Sequence, residues 1–269
     1  MTKNPQGRGE RTPERRARVQ SAEMGMSILK SLSRLGGGAS LTTVSADVCE
    51  STAKVHRYMA SLIQEGLVAQ DSATQHYYLG QEALQIGLAA LRRCDPIRLG
   101  EASLLRLREE LQVTCFLAVM GNKGPTVLRM EEPGLSVTVN FRVGAVLPLL
   151  WSATGRVFLS YLDDVEVLAQ ADEELAAADK ALRVLLAGKN PIAQLRKDVL
   201  AAGCAAIEDV MLRGISAVGA PVFDHTGRIC ASLTALGTSG GFDPAPGNKI
   251  AARVTEEARA ISLLLGYSG

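Results

Sequence analysis

The side chains best suited to chemistry stand at the start of one amphipathic segment, residues 51–65. Its apolar residues recur at helical spacing and form one stripe, whereas Thr52, Lys54, His56 and Arg57 lie largely off that stripe. Hydroxyl, ammonium, imidazole and guanidinium groups donate hydrogen bonds to phosphate oxygens and to the edges of bases. A generic amphipathic surface helix has a similar pattern, so this segment alone leaves both interpretations open.

Two further helices are predicted in front of this segment. Apolar residues recur at helical spacing over residues 19–35, and a run of glycines ends that pattern. Residues 41–48 predict a short second helix, and a brief turn at Cys49 and Glu50 separates it from residues 51–65. Two helices joined by a tight turn are typical of a helix-turn-helix.

A β-hairpin is predicted directly after the third helix. Gly66 is suited to cap that helix, and two short strand-like runs, residues 67–69 and 76–79, flank a polar turn. Helix, helix and hairpin in this order predict a winged helix, a DNA-binding fold whose recognition helix enters the major groove. His56 and His76 both fall inside this module and are interpreted as donors to phosphates or bases, with solvated surface histidines as the alternative.

The composition favours a two-domain protein with an uneven charge. The chain has 269 residues, 47% hydrophobic and 4% aromatic, with a formal net charge of +1. This length exceeds the usual size of one domain. The near-neutral net charge argues against bulk electrostatic attraction to nucleic acid or membranes. Residues 1–18, however, carry six basic and two acidic side chains. They predict a disordered basic arm, which either follows DNA phosphates or only keeps the protein soluble.

Neither a disulfide framework nor a metal site is predicted. The five cysteines are scattered and form no C-x-x-C pair, so reduced, buried thiols are expected. No run of about 18 uncharged apolar residues occurs, and no apolar stretch follows the basic arm, so neither a membrane span nor a signal peptide is predicted. We therefore expect a cytoplasmic protein without cofactors.

An enzyme is the least supported class of protein. The sequence contains no G-x-S-x-G, P-loop, H-E-x-x-H or G-x-G-x-x-G motif. His225 lies in F-D-H-T-G-R, which predicts a turn between strands, and Glu208 and Asp209 are assigned to the surface or to subunit contacts. No catalytic residue is predicted.

The rest of the chain predicts a linker helix and an α+β domain. Residues 81–93 continue as a helix that ends before Pro96, where a domain boundary is expected. Helices that flank mostly antiparallel strands follow, which is typical of an α+β fold. Helices are predicted at residues 97–111, from near Ser152, at 192–202 and at 249–264, and strands at 114–120, 125–131, 137–143, 205–209, 216–223 and 229–235.

Several motifs resemble those of the IclR-type transcriptional regulators. The N-terminal ones are V-Q-S-A from Val19, L-T-T-V-S-A-D-V, V-H-R from Val55, E-G-L-V and the wing sequence D-S-A-T-Q-H-Y-Y-L-G. The C-terminal ones are R-V-G-A-V-L-P, S-A-T-G-R and G-A-P-V-F-D. The chain departs from the family pattern at Ala53-Lys54, where Ser-Thr is common, and at Gln75, which replaces the usual wing glycine. These departures concern which DNA sequence is bound, not whether DNA is bound.

After the arm at residues 1–18, the resemblance implies three parts: a winged helix-turn-helix at 19–80, a linker helix at 81–95 and a GAF-like effector domain at 96–269. It also implies a regulator of catabolic genes that binds double-stranded operator DNA and a small-molecule effector. A winged helix covers only one half-site, so we expect a homodimer, and the family suggests dimers of dimers. The residues assigned to DNA are Thr42, Thr43, Ser51, Thr52, Lys54, His56, Arg57, Gln75 and His76.

In the family that the chain resembles, the effector lies at the start of the helix that follows S-A-T-G. Unpaired backbone N–H groups around Ala153, Thr154 and Gly155 would favour a carboxylate there. Several implied pocket residues are apolar, so a larger acid, such as an aromatic one, is expected rather than pyruvate or glyoxylate. Trp151 is either a pocket residue or a core residue. The implied pocket residues are Trp151, Ala153, Thr154, Gly155, Ile207, Ile215, Ala217, Thr234 and Leu236.

Two alternatives to an effector-controlled regulator stay open. One is a DNA-binding protein whose C-terminal domain only oligomerises, and the less supported one is a small-molecule enzyme. If an effector is bound, it acts by favouring one spacing of the DNA-binding heads through the helix at residues 81–93. Repression and activation are not distinguished, because that depends on where the operator lies relative to polymerase.

Overall fold

The computed structural model describes residues 19–134, 142–186 and 188–269. The predicted arm at residues 1–18 and nearly all of the predicted strand at 137–143 lie outside the described residues. The chain divides into two compact units between Arg92 and Arg93. Each unit has its own hydrophobic core.

The first unit is a helix-turn-helix followed by a β-hairpin and one further helix, as predicted. Its core is formed by apolar side chains at helical spacing on the three leading helices, among them Ile28, Val55 and Met59, which are fully buried. The elements are α1 (Gln20–Arg34), α2 (Leu41–Asp47), α3 (Thr52–Gln64), β1 (Val68–Gln70), β2 (Tyr77–Leu79) and α4 (Gln81–Leu91).

The hairpin of β1 and β2 is tied to the helices at two places. Val68 pairs with Leu79 in an antiparallel register, and Tyr77 exchanges backbone hydrogen bonds with Ala39, in the loop before α2. At the other end, a Cβ atom on Gly80 would lie 2.2 Å from the carbonyl oxygen of Gly66. Only glycine therefore fits where the hairpin passes the end of α3.

Helix α4 follows the hairpin and has an unusual surface. It has no buried residue within the described part of the chain, although its sequence is largely apolar. Leu84 and Ile86 are 60% and 62% exposed. The predicted helix at residues 81–93 extends slightly beyond the observed end of α4 at Leu91.

The second unit is an α+β domain built on one antiparallel sheet of five strands, as predicted. The strands lie in the order β4-β3-β7-β6-β5. The elements are α5 (Pro96–Leu99), α6 (Glu101–Leu111), β3 (Thr114–Gly121), β4 (Gly124–Glu131), α7 (Ala153–Tyr161), α8 (Val165–Ala177), α9 (Lys180–Leu185), α10 (Pro191–Ala202), β5 (Ala205–Glu208), β6 (Ile215–Phe223), β7 (Ile229–Thr238) and α11 (Lys249–Leu264).

Helices cover both faces of this sheet. Helices α6 and α11 pack on one face, and α7 with α10 behind it packs on the other. Strands β6 and β7 lie in the centre, so nearly every residue of β6 is buried. This sandwich holds the first turn of α7 against the middle of the sheet.

The structure departs from the prediction in the helices of the second unit and at one cysteine of the first unit. The helix predicted at residues 97–111 is interrupted, because Gly100, a poor helix former, separates α5 from α6. Helices α8 and α9 lie where no element is predicted; α8 buries only Val167 and Ala171, too weak an apolar stripe to recognise in the sequence. Cys49 is exposed rather than buried, because it forms the turn between α2 and α3 with a left-handed φ of 54°.

The turn predicted around His225 is present. The carboxylate of Asp224 accepts hydrogen bonds from the backbone N–H groups of Thr226 and Arg228, which closes the turn between β6 and β7. Among the described residues, no helix is long and apolar enough to cross a membrane.

Candidate functional site

Helix α3 presents two different faces. Ser51 caps it, since its hydroxyl accepts a hydrogen bond from the N–H of Lys54 at 3.4 Å. Val55, Met59 and Leu62 are buried and fix the helix to α1 and α2. The opposite face of the first turns is therefore directed away from the core.

That outward face carries most of the polar residues singled out in the sequence. Thr52, His56 and Arg57 are exposed. Arg57 has no ion pair or hydrogen-bonded carboxylate in the described part of the chain, so its guanidinium is available to an anion. Lys54 differs, because its ammonium lies 2.6 Å from a carboxylate oxygen of Glu50 and both side chains are about 30% exposed.

The start of α2 adds hydroxyl groups to this unit. Ser40 caps α2 by accepting from the N–H of Thr43 at 3.2 Å. Its hydroxyl also lies 2.8 Å from the hydroxyls of both Thr42 and Thr43. Thr42 and Thr43 are exposed, so their hydroxyls have further hydrogen-bonding capacity towards solvent or a ligand.

The tip of the hairpin is organised by one carboxylate. Asp71 accepts hydrogen bonds from the backbone N–H and the hydroxyl of Thr74, at 2.7 and 2.9 Å. These bonds lower the pKa of Asp71. Gln75 follows with a left-handed φ of 57°, which explains why glycine is usual at this position in the family that the chain resembles. Gln75 is exposed and His76 is half-buried.

The second unit contains a recess between α7 and the central strands. It has a volume of about 380 Å³, part of which is open to solvent. Most of the predicted pocket residues meet here: Ala153, Thr154, Ile207, Ile215, Ala217, Thr234 and Leu236. No charged side chain is among the described residues that line it.

Two predicted pocket residues do not line this recess. Trp151 is 8% exposed and belongs to the hydrophobic core between α7 and the sheet. Gly155 is buried beneath the preceding loop, where a Cβ atom would lie 2.1 Å from the carbonyl oxygen of Pro148. The sequence predicts that its N–H faces the ligand, but this group donates to the hydroxyl of Ser152 at 2.9 Å instead.

The polar end of the recess is the first turn of α7. The backbone N–H groups of Ala153 and Thr154 have no acceptor within the described ranges. The hydroxyl oxygens of Thr154 and Thr234 lie 2.8 Å apart, and both residues are 1% exposed. This end therefore offers donors from the backbone and from a hydroxyl pair, together with the positive end of the helix dipole.

Residues from other segments complete the recess. No sequence pattern predicted the lining residues Phe116 on β3, Leu147, or Met211 and Leu212 in the loop after β5. That loop is held by Asp209, whose carboxylate accepts from the N–H of Gly214 at 2.7 Å. The sequence predicts that Asp209 lies at the surface or in a subunit contact. Asp209 is exposed, but its carboxylate is bonded within the chain.

A second carboxylate holds the loop in front of α7. Glu174 on α8 accepts from the N–H groups of Leu149 and Leu150, at 2.8 and 2.9 Å. Both leucines are fully buried, so these bonds fix the backbone that leads into Ser152 and the first turn of α7. The donors at the polar end are thereby positioned before any ligand arrives.

Comparisons with known families match both units. A family model described as the bacterial transcriptional regulator IclR C-terminal domain matches residues 88–263. A second, described as the IclR helix-turn-helix domain, matches residues 21–72. The HTH-type transcriptional repressor AllR of Klebsiella pneumoniae is 24% identical over 259 residues, which is 96% of this chain and 94% of AllR.

Solved structures agree with this match. HmgR of Pseudomonas aeruginosa has a TM-score of 0.84 and 43% sequence identity, and the alignment covers 93% of this chain and 100% of HmgR. An IclR homologue from Microbacterium hydrocarbonoxydans, solved in complex with 4-hydroxybenzoate, has a TM-score of 0.53 and 17% identity over 91% of this chain and 98% of its own. The latter likeness concerns the fold alone.

Proposed function

The chain belongs to the IclR family of bacterial transcriptional regulators, and on this basis we propose that an aromatic carboxylic acid controls its binding to operator DNA. The DNA is contacted by the first unit, and the acid occupies the recess between α7 and the sheet. The regulated genes are catabolic, since a protein that senses a degradable acid is suited to control its breakdown. The observation that carries the proposal is the recess itself, with donors at one end and apolar walls elsewhere.

On the DNA side, α3 enters the major groove with its exposed first turns. Arg57 and His56 supply donors to bases and phosphates, and the capped start of α2 and the wing contact the flanking backbone. Lys54 contributes less than Arg57, because its charge is already compensated by Glu50. The proposed contacts are Thr42, Thr43, Ser51, Thr52, Lys54, His56, Arg57, Gln75 and His76.

On the effector side, the carboxylate binds the N–H groups of Ala153 and Thr154 and one hydroxyl of the threonine pair. A carboxylate at a helix N-terminus needs no arginine or lysine partner. The ring lies against Ile207, Ala217 and Leu236, which are buried and apolar. At about 25 cal/mol per Å² of apolar area, ring burial then supplies most of the affinity.

The apolar walls favour a ring over a two- or three-carbon keto acid. A small keto acid would leave most of the wall uncovered and would find no side-chain donor beyond hydroxyls. The Microbacterium hydrocarbonoxydans homologue was solved with 4-hydroxybenzoate, so a protein of this fold accommodates an acid of this class.

A dimer is part of the proposal, and α4 supports it. Its exposed apolar residues, including Leu84, Ile86 and Leu88, would be covered by a second copy of the chain. Two heads then read the two halves of a pseudo-palindrome, and two dimers can join on one operator. The acid acts because it binds one arrangement of the heads more tightly than the other, with a typical coupling of about 1–3 kcal/mol.

A thermal-shift screen of the full chain tests the effector. The panel runs from pyruvate through dicarboxylates to substituted benzoates, followed by calorimetry on each hit. We expect a concentration-dependent rise in Tm with a benzoate and none with pyruvate. Tight binding of pyruvate without any benzoate contradicts the aromatic assignment, and no hit with any acid favours a DNA-binding protein whose second unit only oligomerises.

A further inference from the structure

A second recess is lined by Arg156 in the first turn of α7 and by Ala206 of β5, and it is separate from the recess between α7 and the central strands. It is bounded by α7, by α10 and by Leu185 and Leu186 at the end of α9. Its space of about 820 Å³ includes a part that is open to solvent. The two recesses share no lining residue. The polar side chains at this second recess are Arg156, Gln194 and Asp198.

Arg156 is the notable residue of this recess. Its Nε donates to the carbonyl oxygen of Leu150 at 2.8 Å, and Nη1 donates to that of Ala206 at 3.3 Å. These two bonds leave three of the five guanidinium N–H donors, including both on Nη2, without an acceptor in residues 19–134, 142–186 and 188–269. No carboxylate lies within 4.0 Å of its nitrogens in the same ranges.

A half-buried guanidinium without a counter-ion is costly. Neutral carbonyl oxygens accept its hydrogen bonds but do not neutralise its charge. Burial lowers the pKa of Arg156 to about 10, because the charged guanidinium loses contact with water. Arg106 and Arg253, by contrast, form ion pairs with carboxylates of the second unit.

Asp198 is the acidic side chain among the described residues that line the recess, and it does not serve as the counter-ion. Asp198 is exposed, and its carboxylate accepts a hydrogen bond from Nε2 of Gln194, one turn earlier on α10, at 2.7 Å. An anion that binds Arg156 must therefore lie on the guanidinium side of the recess, away from Asp198.

From this geometry we propose that the second recess is a binding site for a small oxyanion, a phosphate or carboxylate group, held by the free N–H donors of Arg156. Two oxygens of such a group match the fork of a guanidinium. The site is independent of the aromatic-acid recess, although Arg156 bonds to Leu150 and Ala206, whose neighbours Trp151 and Ile207 belong to the core and wall of that recess.

Calorimetric titration of the full chain with inorganic phosphate, and separately with acetate, at constant ionic strength tests the site. Saturable binding of phosphate alone identifies a phosphate site, and of acetate alone a carboxylate site. Two substitutions change the recess without removing the backbone bonds of Arg156. Gln194→Glu adds a negative charge and should weaken binding roughly tenfold, whereas Asp198→Asn removes one and should strengthen it.

Controls separate this site from other anion sites. Lys197→Gln removes an exposed positive charge from the same helix outside the recess and should leave the affinity unchanged. Arg57→Ala removes a proposed DNA contact, and loss of phosphate binding in that variant would place the ion on the DNA-binding unit instead. Thr154→Val should weaken benzoate binding but not phosphate binding, so the two recesses are tested separately.

Two results overturn the proposal. One is the absence of saturable binding for both phosphate and acetate. The other is an equal affinity in wild type, Gln194→Glu and Asp198→Asn. In either case Arg156 serves only to join the loop before α7 to β5.

Discussion

The hydroxyl oxygens of Thr154 and Thr234 lie 2.8 Å apart across the sheet–helix boundary, although the residues are 80 positions apart in the chain. One hydroxyl hydrogen is shared between the two oxygens, and the second has no acceptor within the described ranges. Because both residues are buried at the polar end of the recess, that second hydrogen is available to an acceptor that enters the recess.

Thr154→Val should weaken the binding of a benzoate and also lower the stability of the second unit. The substitution removes one ligand donor and leaves the Thr234 hydroxyl buried without its partner, which costs about 1 kcal/mol. Calorimetry measures the first effect and urea unfolding the second. Thr255→Val is the matched control, since its hydroxyl bonds within α11 to the carbonyl of Ala251. Equal benzoate affinity in wild type and Thr154→Val would contradict the assigned polar end.

Arg57→Ala should reduce operator affinity more than Lys54→Ala does. Arg57 is exposed and unpaired, whereas the ammonium of Lys54 is bound to Glu50 and must be released or shared. Each contact with a phosphate contributes about one to the slope of log affinity against log salt. Mobility-shift titrations at several salt concentrations measure both quantities, with Lys197→Gln as the charge control. Unchanged affinity in both head variants would mean that another helix reads the DNA.

Gln75→Gly should stabilise the wing relative to Gln75→Ala. Both variants lose the side-chain amide that bonds to Gln70 and to the carbonyl of Ser72, but only glycine accepts a φ of 57° without strain. The expected difference in the free energy of unfolding is roughly 0.5–1 kcal/mol in favour of glycine. Urea unfolding of the two variants side by side measures this difference. Greater stability of the alanine variant would contradict backbone strain at residue 75.

Glu257 should make the second unit sensitive to acid. It is 5% exposed on α11 and accepts hydrogen bonds from Arg106 at 2.7 Å and from Arg253 at 3.0 Å. Burial raises the pKa of Glu257, but the hydrogen bonds from Arg106 and Ser103 outweigh it, so the pKa is lowered from its usual value of 4.5. The stabilisation by the carboxylate is therefore complete above pH 4.5 and is lost as the pH falls through the lower, folded-state pKa.

Unfolding at neutral pH and again below pH 4.5 measures this contribution. Glu257→Gln should be destabilised by about 3 kcal/mol at neutral pH, because two arginines lose a buried acceptor, and the gap to wild type should narrow in acid. Glu256→Gln is the control, since Glu256 is 70% exposed and also contacts Arg253. A gap that stays constant with pH would show that the ionised carboxylate contributes nothing.

Local patterns in the sequence were sufficient for the first unit. Each pattern used there reflects a local constraint, either burial of one helix face or a particular φ. The patterns are the stripe of Val55, Met59 and Leu62, the glycine after α3 and the polar turn before Tyr77. Such requirements are met within a few residues, so the order of helices and hairpin can be deduced without knowing the tertiary contacts. The resemblance then extended this prediction to the positions of Thr154, Ile207 and Thr234.

The remaining features depend on groups that meet across long stretches of chain. The hydroxyls of Thr154 and Thr234 meet although they are 80 positions apart. Glu174 accepts from the N–H groups of Leu149 and Leu150, and Arg156 donates to the carbonyl oxygen of Ala206. The type of each residue determines which hydrogen bonds its groups can donate or accept. The register of the central strands and the placement of α7 against them decide which partner each one finds, because a hydrogen bond is made only where two distant segments are brought within about 3 Å.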